Sequence, residues 1–334
     1  MKVGAAPELA EAVADAIRAR GVEPLVLPGQ DRTAVGIPAT LSADQRADLE
    51  AALGAMEGVS LVTQTSRPYK LASREFHPED TVIRIKDTVI GGGSFTIMAG
   101  PCSIESEDGF RAAAEIVRAS GATVLRGGAF KPRTSPYSFQ GLRDEGLRIL
   151  KKVGDDTGLV TITEVMSPDR VADVAAHADI LQIGARSMQN YPLLIEAGRS
   201  GKPVFLKRGP SAPVDEWLLA AEYVLAQGNP NVMLCERGIV GFDRAYTRNT
   251  FDVAIVPVLK EITHLPVIAD PSHGVGVARF VPPMAKAAMI AGADGVMVEM
   301  HPSPKEALSD GSQALTPDAY RAMTADLGRL ATFR

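Results

Sequence analysis

From residue 93 to the C-terminus one rhythm repeats eight times. Short apolar runs fall at residues 95–99, 123–125, 159–162, 180–183, 204–206, 232–234, 267–269 and 296–298, and most are followed by a helical stretch. Eight strand–helix units spread over roughly 240 residues are the signature of a closed (β/α)8 barrel. An open eight-stranded α/β sheet is the competing fold. It is disfavoured because no glycine-rich phosphate fingerprint opens the first strand–helix turn. Two further short runs, 81–85 and 88–90, are split by Lys86-Asp87. They read as a hairpin ahead of the first barrel strand, expected to plug the N-terminal mouth.

A chain of 334 residues is long for one core, so a main domain with a smaller companion is expected. Residues 1–65 read as that companion. Leu9, Val13 and Ile17 recur four apart between Pro7 and Gly21, which predicts a helix. Short strands follow at 25–27 and 32–37, with Gly29-Gln30-Asp31 turning between them. Ser42 and Gln45 make a capping-box pair before a helix carrying Leu49, Leu53 and Met56. With weak strands at 1–3 and 59–63, the order becomes β-α-β-β-α-β, a ferredoxin-like arrangement. The expected architecture is α/β: a (β/α)8 TIM barrel over 93–334, a linker and hairpin at 66–92, and a small ferredoxin-like α+β domain at 1–65.

The net charge of −5 gives no electrostatic reason to expect a nucleic acid or an anionic membrane as partner. No apolar run is long enough to cross a bilayer, and the first residues lack the apolar stretch of a secretory signal. Two cysteines argue against a disulfide scaffold and fit a reducing, cytoplasmic setting.

A (β/α)8 barrel places its chemistry where strands end and the following loops begin. Those positions carry Cys102; Arg126 and Lys131; Glu164; Gln182 and Arg186; Lys207 and Arg208; Glu236 and Arg237; Asp270 and His273; and Glu299 and His301. Any one of them is compatible with a solvated loop. As a set, Arg126, Lys131, Arg133, Arg186, Lys207, Arg208 and Arg237 aim positive charge at one face of a net-negative chain. Their mutual repulsion in a cleft would be costly without anions to offset it. Phosphate and carboxylate are the anions that suit guanidinium forks and ammonium groups, so a site for at least two anionic groups is inferred.

Cys102, His273, Glu299 and Asp310 form a second constellation, following strands one, seven and eight. Strand eight of a closed barrel pairs with both seven and one, so the four side chains can converge. A thiolate, an imidazole and two carboxylates suit Mn²⁺, Fe²⁺, Co²⁺ or Zn²⁺ better than Mg²⁺. The alternative is that Cys102, like Cys235, is a small buried hydrophobe.

Longer motifs then become specific. Gly100-Pro101-Cys102-Ser103-Ile104-Glu105-Ser106, Arg126-Gly127-Gly128-Ala129-Phe130-Lys131-Pro132-Arg133-Thr134-Ser135, Gly184-Ala185-Arg186 and Asp270-Pro271-Ser272-His273-Gly274 closely resemble 3-deoxy-D-arabino-heptulosonate 7-phosphate (DAHP) synthases, as do Cys235-Glu236-Arg237-Gly238 and Ser309-Asp310-Gly311. The resemblance spans residues 70–334, and the N-terminal unit resembles the domain carried by the type Iβ branch.

The resemblance implies condensation of phosphoenolpyruvate with erythrose 4-phosphate and water, the first step of the shikimate pathway. It implies that Arg126, Lys131, Arg186, Lys207 and Arg237 bind phosphoenolpyruvate. Pro132, Arg133, Thr134 and Ser135 would form the loop that holds the aldose phosphate, and Cys102, His273, Glu299 and Asp310 would hold a divalent metal, with Mn²⁺ favoured. Glu164 and Arg208 would lie near the phosphoenolpyruvate phosphate or an attacking water, and Asp270 in or behind the cleft. Lys131 or a metal-bound water would deliver the proton to the new alkoxide, while Cys102 as a covalent nucleophile is the weaker reading. A homotetramer and an aromatic amino acid effector are implied by the same likeness. The nearest alternative is 3-deoxy-D-manno-octulosonate 8-phosphate synthase, whose corresponding loop contains Asn where this chain has Lys131-Pro132-Arg133-Thr134-Ser135. A barrel that has lost activity and serves regulation is the alternative from another class.

Overall fold

The structure is a computed structural model and describes residues 1–29, 32–63, 67–133 and 135–333. The N-terminal helix α1 (Pro7–Arg18) starts at a proline, where the missing N–H has no intrahelical partner to lose, and it buries Ala10, Val13, Ala14 and Ile17. Strands β1 (Leu25–Pro28) and β2 (Thr33–Gly36) pair antiparallel with Leu25 opposite Gly36. Helix α2 (Ala43–Gly54) opens on the expected reciprocal cap: Ser42 Oγ accepts from Gln45 N at 3.2 Å, and Gln45 Oε1 accepts from Ser42 N at 3.0 Å. Val13, Ile17, Val22, Leu49 and Leu53 form a small core between the two helices.

The ferredoxin-like order is met only in its middle. Among the described residues this unit has a two-stranded sheet, and neither 1–3 nor 59–63 forms a strand. Just ahead of the second segment the chain accepts a backbone hydrogen bond from the first, Lys2 N to Gly58 O at 2.7 Å. Val59 and Val62 pack on the small core while Leu61, between them, is 68% exposed. Apolar contacts three residues apart fit a bent path and break the two-residue alternation of a strand. The turn expected at Gly29-Gln30-Asp31 falls partly outside the described residues.

Strands β3 (Ile83–Ile85) and β4 (Thr88–Ile90) form the hairpin. Ile83 and Ile90 pack among Met98, Val124, Phe205 and Ile268 inside the barrel, with Ile85 against the same cluster. Lys86, at φ +51 in the turn, donates to Leu159 O and to Asp179, which immediately precede two barrel strands. The hairpin therefore closes the N-terminal end of the barrel.

The barrel itself consists of β5 (Thr96–Gly100), β6 (Val124–Arg126), β7 (Val160–Glu164), β8 (Ile180–Ile183), β9 (Val204–Lys207), β10 (Val232–Glu236), β11 (Val267–Ala269) and β12 (Gly295–Glu299). All pairs are parallel, and β12 returns to β5 with Glu299 opposite Gly100. Around it run α3 (Glu107–Ala119), α4 (Asp144–Thr157), α5 (Val171–His177), α6 (Tyr191–Arg199), α7 (Val214–Leu225), α8 (Ile255–Ile262), the short α9 (Pro271–Val275), α10 (Val281–Ile290) and α11 (Pro317–Leu330). Several strands run past their apolar residues to end on Arg126, Glu164, Lys207, Glu236 and Glu299. The polar side chains are thus carried on rigid sheet at the C-terminal mouth.

The linker is anchored to the barrel wall. Glu222 of α7 accepts from the N–H groups of Lys70 and Ala72 at 2.9 and 2.7 Å, beside the fully buried Tyr69. Leu27 joins the same large core, which ties β1 to the barrel.

Candidate active site

Four chain segments meet at the barrel mouth where β5, β11 and β12 end. Gly100 has φ +149, and a side chain there would strike the Arg126 carbonyl, so glycine is required where the chain turns to deliver Cys102. Asp270 caps α9 by accepting from His273 N at 3.0 Å, and its other oxygen accepts from His273 Nδ1 at 2.8 Å. Glu299 ends β12 with its N–H bound to Ser272 Oγ at 2.9 Å. Asp310, at φ +49, opens a turn closed by Gln313 N to Asp310 O at 3.2 Å. One ligand atom each from Cys102, His273, Glu299 and Asp310 lies within 4.8 Å of the others.

The donor set fits a cation. A carboxylate accepts only, so His273 Nδ1 carries the proton it shares with Asp270, and Nε2 is left with its lone pair. That lone pair faces Glu299 Oε1 at 3.3 Å. Two electron-pair donors facing each other in a buried site call for something positive between them. Burial holds the His273 imidazole below its ordinary value, against the pull of Asp270, and so keeps it in the neutral, ligating form. Burial would raise Glu299 and Asp310, but the Arg126 and Lys131 cations around Glu299, and Lys131 beside Asp310, work against it, and both carboxyls lie below the usual carboxylate range. Burial, reinforced by Glu299, pushes the Cys102 thiol up to about 12. The thiol donates to Asp310 Oδ2 at 3.0 Å, and Lys131 Nζ sits 3.1 Å from the same oxygen. Lys131, which donates to the sulfur, and Arg126 pull the thiol down, but burial and Glu299 outweigh them, so it is not a free nucleophile, whereas a bound cation would deprotonate it.

Above the cluster opens a cleft of about 520 Å³. Arg126, Lys131, Arg133, Arg186, Lys207 and Arg237 all line it. Three of these cations are already paired: Arg126 with Glu299 at 3.0 Å, Lys131 with Asp310, and Lys207 with Asp270 at 2.6 Å. Arg133, Arg186 and Arg237 have no carboxylate partner among the described residues, and Arg186 bonds only the Pro132 carbonyl at 2.9 Å. Three guanidinium groups around one cavity leave room for two anionic groups of a ligand. Pro132 and Ser135 also line the cleft, and Thr134 lies outside the described residues. Glu164 lines the cleft wall, and burial raises its carboxyl, only partly countered by Lys131 and Lys207.

Asp270 and Arg208 do not line the cleft. Asp270 is fully buried beneath the cleft, holding Lys207 and His273. Arg208 turns away altogether: its guanidinium binds Glu236 at 3.2 Å, Asp252 at 2.9 Å and the Ala212 carbonyl at 3.0 Å. A buried guanidinium needs its own anions, and these lie behind the strand, so Arg208 offers no group to a ligand in the cleft. It braces the β10 end.

Sequence reading missed Arg244, Arg248 and Asn249, which line the cleft from the segment after β10, and Gln313, buried beside Glu299. Asn249 Nδ2 donates to the His273 carbonyl at 3.0 Å. The only signal for the first three was the long stretch between β10 and α8.

The DAHP synthetase I family matches residues 78–331. The phospho-2-dehydro-3-deoxyheptonate aldolase of Thermotoga maritima is 46% identical over 303 residues, covering 91% of this chain and 88% of that protein. A 2-dehydro-3-deoxyphosphooctonate aldolase of Koribacter versatilis is 32% identical over 268 residues, 74% of this chain and 95% of its own length. The crystal structure of the Thermotoga maritima phospho-2-dehydro-3-deoxyheptonate aldolase (DAHP synthase) superposes with a TM-score of 0.79 at 43% identity, covering 99% of this chain and 96% of that one.

Proposed function

The chain belongs to the DAHP synthetase I family, and from that premise we propose how its barrel mouth works. The reaction is condensation of phosphoenolpyruvate with erythrose 4-phosphate and water to give DAHP and inorganic phosphate. The higher identity to the heptonate enzyme than to the octonate enzyme supports erythrose 4-phosphate over a pentose phosphate.

The observation that carries the mechanism is the convergence of Cys102, His273, Glu299 and Asp310 under a cationic cleft. These four residues hold a divalent cation, and their mixed sulfur, nitrogen and oxygen donors suit Mn²⁺, Fe²⁺, Co²⁺ or Zn²⁺ better than Mg²⁺. When bound it supplies Lewis acidity to the aldehyde oxygen as that oxygen gains negative charge.

The chain's own side chains do the rest. Arg126, Lys131, Arg186, Lys207 and Arg237 hold the carboxylate and phosphate of phosphoenolpyruvate, and Arg133 with its loop neighbours holds the aldose phosphate. Two mutually repelling anions are thereby kept at bonding distance, an orientation effect of several kcal/mol on the order of that found in intramolecular reactions. As C3 of the enol attacks the aldehyde, C2 becomes cationic, water adds there, and the resulting hemiketal phosphate expels phosphate. Lys131 Nζ delivers the proton to the new alkoxide. Its position against Cys102 and Asp310 supports this, with the Glu299 and Asp310 carboxylates keeping it charged despite burial. Glu164, raised by burial, takes a proton from the incoming water.

An aromatic amino acid effector, a homotetramer and a cytoplasmic location complete the reading. The support for the effector is a cavity of about 340 Å³ between the N-terminal unit and the linker, walled by Leu49, Leu53, Leu71 and Phe76 with Arg46 and Glu50 beside them. Both cysteines being free supports a reducing setting.

The test is a product assay with erythrose 4-phosphate and arabinose 5-phosphate in parallel. Heptulosonate formation at a far higher kcat/KM than octulosonate formation is expected. Preference for the pentose phosphate would overturn the assignment. Titration with Tyr and Phe checks the effector, and unchanged rates with both would remove it.

A further inference from the structure

Gln313 is 2% exposed and spans two groups of opposite character. Its Nε2 donates to Glu299 Oε2 at 2.7 Å, and its Oε1 accepts from Arg248 at 3.1 Å. Neither contact can be reversed, since a carboxylate gives no hydrogen and a guanidinium accepts none. The amide therefore has a single orientation. Glu299 Oε1, the other oxygen, receives Arg126 at 3.0 Å and faces His273 Nε2 at 3.3 Å. The carboxylate is thus held by its rear oxygen and presents its front oxygen to the cluster.

We propose that Gln313 is a positioning residue for the cation site, fixing which oxygen of Glu299 is offered as ligand. The backbone N–H of Gln313 also closes the turn on Asp310 O, so one short turn delivers the Asp310 ligand and the brace for Glu299 together. Arg248 locks the amide from the cleft side, and it lies 3.9 Å from Asp310 Oδ1. Removing the amide frees the buried carboxylate to rotate and leaves Oε2 without a partner, which costs cation affinity before it costs fold. The proposal rests on the cation reading of the four-residue cluster.

The experiment uses the full chain stripped of metal and titrated with Mn²⁺, free Mn²⁺ being read by electron paramagnetic resonance. Wild type, Cys102→Ser, Gln313→Met and Gln313→Asn are compared, with the thermal midpoint and phosphoenolpyruvate affinity of each metal-free protein as controls. Gln313→Met and Gln313→Asn are expected to weaken Mn²⁺ binding about 10- to 100-fold, the range for groups that hold a metal ligand from behind. Their metal-free midpoints and phosphoenolpyruvate affinities should stay near wild type. Wild-type Mn²⁺ affinity in both variants overturns the proposal, as does an equal loss of phosphoenolpyruvate affinity, which would mark general loosening. Should Gln313→Met fail to fold, Gln313→Asn, one methylene short of spanning both partners, carries the test. A wild type that binds no Mn²⁺, or a Cys102→Ser variant that binds it undiminished, identifies the cation reading as the error.

Discussion

Lys207 and His273 meet through a single atom: Asp270 Oδ2 lies 2.6 Å from the lysine ammonium and 2.8 Å from the imidazole Nδ1. A cation of the cleft and a nitrogen of the ligand cluster therefore share one buried anion. Asp270 is held well below the usual carboxylate range: burial opposes this, but His273 and Lys207 together prevail. Asp270→Asn keeps the shape and removes the charge. It is expected to weaken Mn²⁺ binding about 10- to 100-fold, as loss of a histidine's carboxylate partner does elsewhere, and to raise KM for phosphoenolpyruvate through Lys207. Metal titration and steady-state kinetics on the same preparation check this. A change in one quantity without the other would show that the shared oxygen does not couple the two sites.

Removal of metal should abolish activity. A chelator such as EDTA is expected to bring turnover to background, with Mn²⁺ restoring it and Mg²⁺ restoring little, because a thiolate and an imidazole suit the softer ion. Cys102→Ser should need far more Mn²⁺ for half-restoration. Full turnover in protein shown to be free of metal would contradict the assignment of Cys102, His273, Glu299 and Asp310 as ligands.

Arg133 and Arg186 both line the cleft without a carboxylate partner among the described residues, and the proposed function assigns them to different substrates. Arg133→Ala is expected to raise KM for erythrose 4-phosphate by about 10- to 100-fold, the loss of one charge-assisted contact of about 1.5–3 kcal/mol. KM for phosphoenolpyruvate should move little. Arg186→Ala should show the reverse. Equal effects of either substitution on both substrates would remove the division of the cleft into two anion subsites.

The barrel and its convergent ends were legible because strand period and strand-end polarity are local. Each of β5 to β12 carries its own apolar run, and closure of the ring brings β12 beside β5 whatever the loops do. Cys102, His273, Glu299 and Asp310 could be paired on paper for that reason. The plug was also readable, since a hairpin that carries apolar residues on both strands has to bury them. Side-chain direction was not legible. Arg208 follows Lys207 directly, and consecutive residues at a strand end point to opposite faces. The sequence alone does not say which of the two faces the cleft, and the anions that capture Arg208, Glu236 and Asp252, come from other segments. Gln313 escaped notice for a related reason: it lies in a loop, and its partner Arg248 is 65 residues away in sequence. In the N-terminal unit the capping box at Ser42 was certain from four residues, whereas the edge strands depended on pairing that 59–63 does not make.

His264 sets an acid limit on stability. Its Nε2 donates to the Leu71 carbonyl at 2.7 Å, so its Nδ1 accepts from Thr81 Oγ1 at 2.6 Å, and the neutral ring is satisfied on both sides. Burial, with His77 adding to it, lowers its pKa to about 3. An unfolded histidine titrates near 6.5. Above that pH neither state is protonated, and the full stability is present. As pH falls below about 6.5 the unfolded chain takes up a proton that the folded chain refuses, so this group removes about 1.4 kcal/mol per pH unit. Urea midpoints at pH 6.5 and pH 5 should show the loss, and the slope should be shallower in His264→Gln. His273, also lowered by burial, contributes to both proteins and cancels in the comparison. Identical slopes would mean that His264 accepts a proton in the folded state.

The plug supplies stability without chemistry. Ile83 and Ile90 are fully buried in the barrel interior, entered from the end opposite to Cys102 and Glu299. The barrel staves cannot collapse on a void there, because each strand is fixed on both sides by its neighbours. Ile83→Ala and Ile90→Ala should each cost about 2–5 kcal/mol, the transfer loss of the removed methyls plus the cavity they leave. At a temperature where the variants remain folded, kcat and both KM values should match wild type, since Ile83 and Ile90 pack on the Met98, Phe205 and Met297 side chains of the barrel interior and not on the strand ends that carry the site. Denaturant midpoints and steady-state rates together decide the matter. A variant with wild-type stability and depressed kcat would mean that the hairpin governs the position of the strand ends, and that the two mouths of the barrel are mechanically coupled.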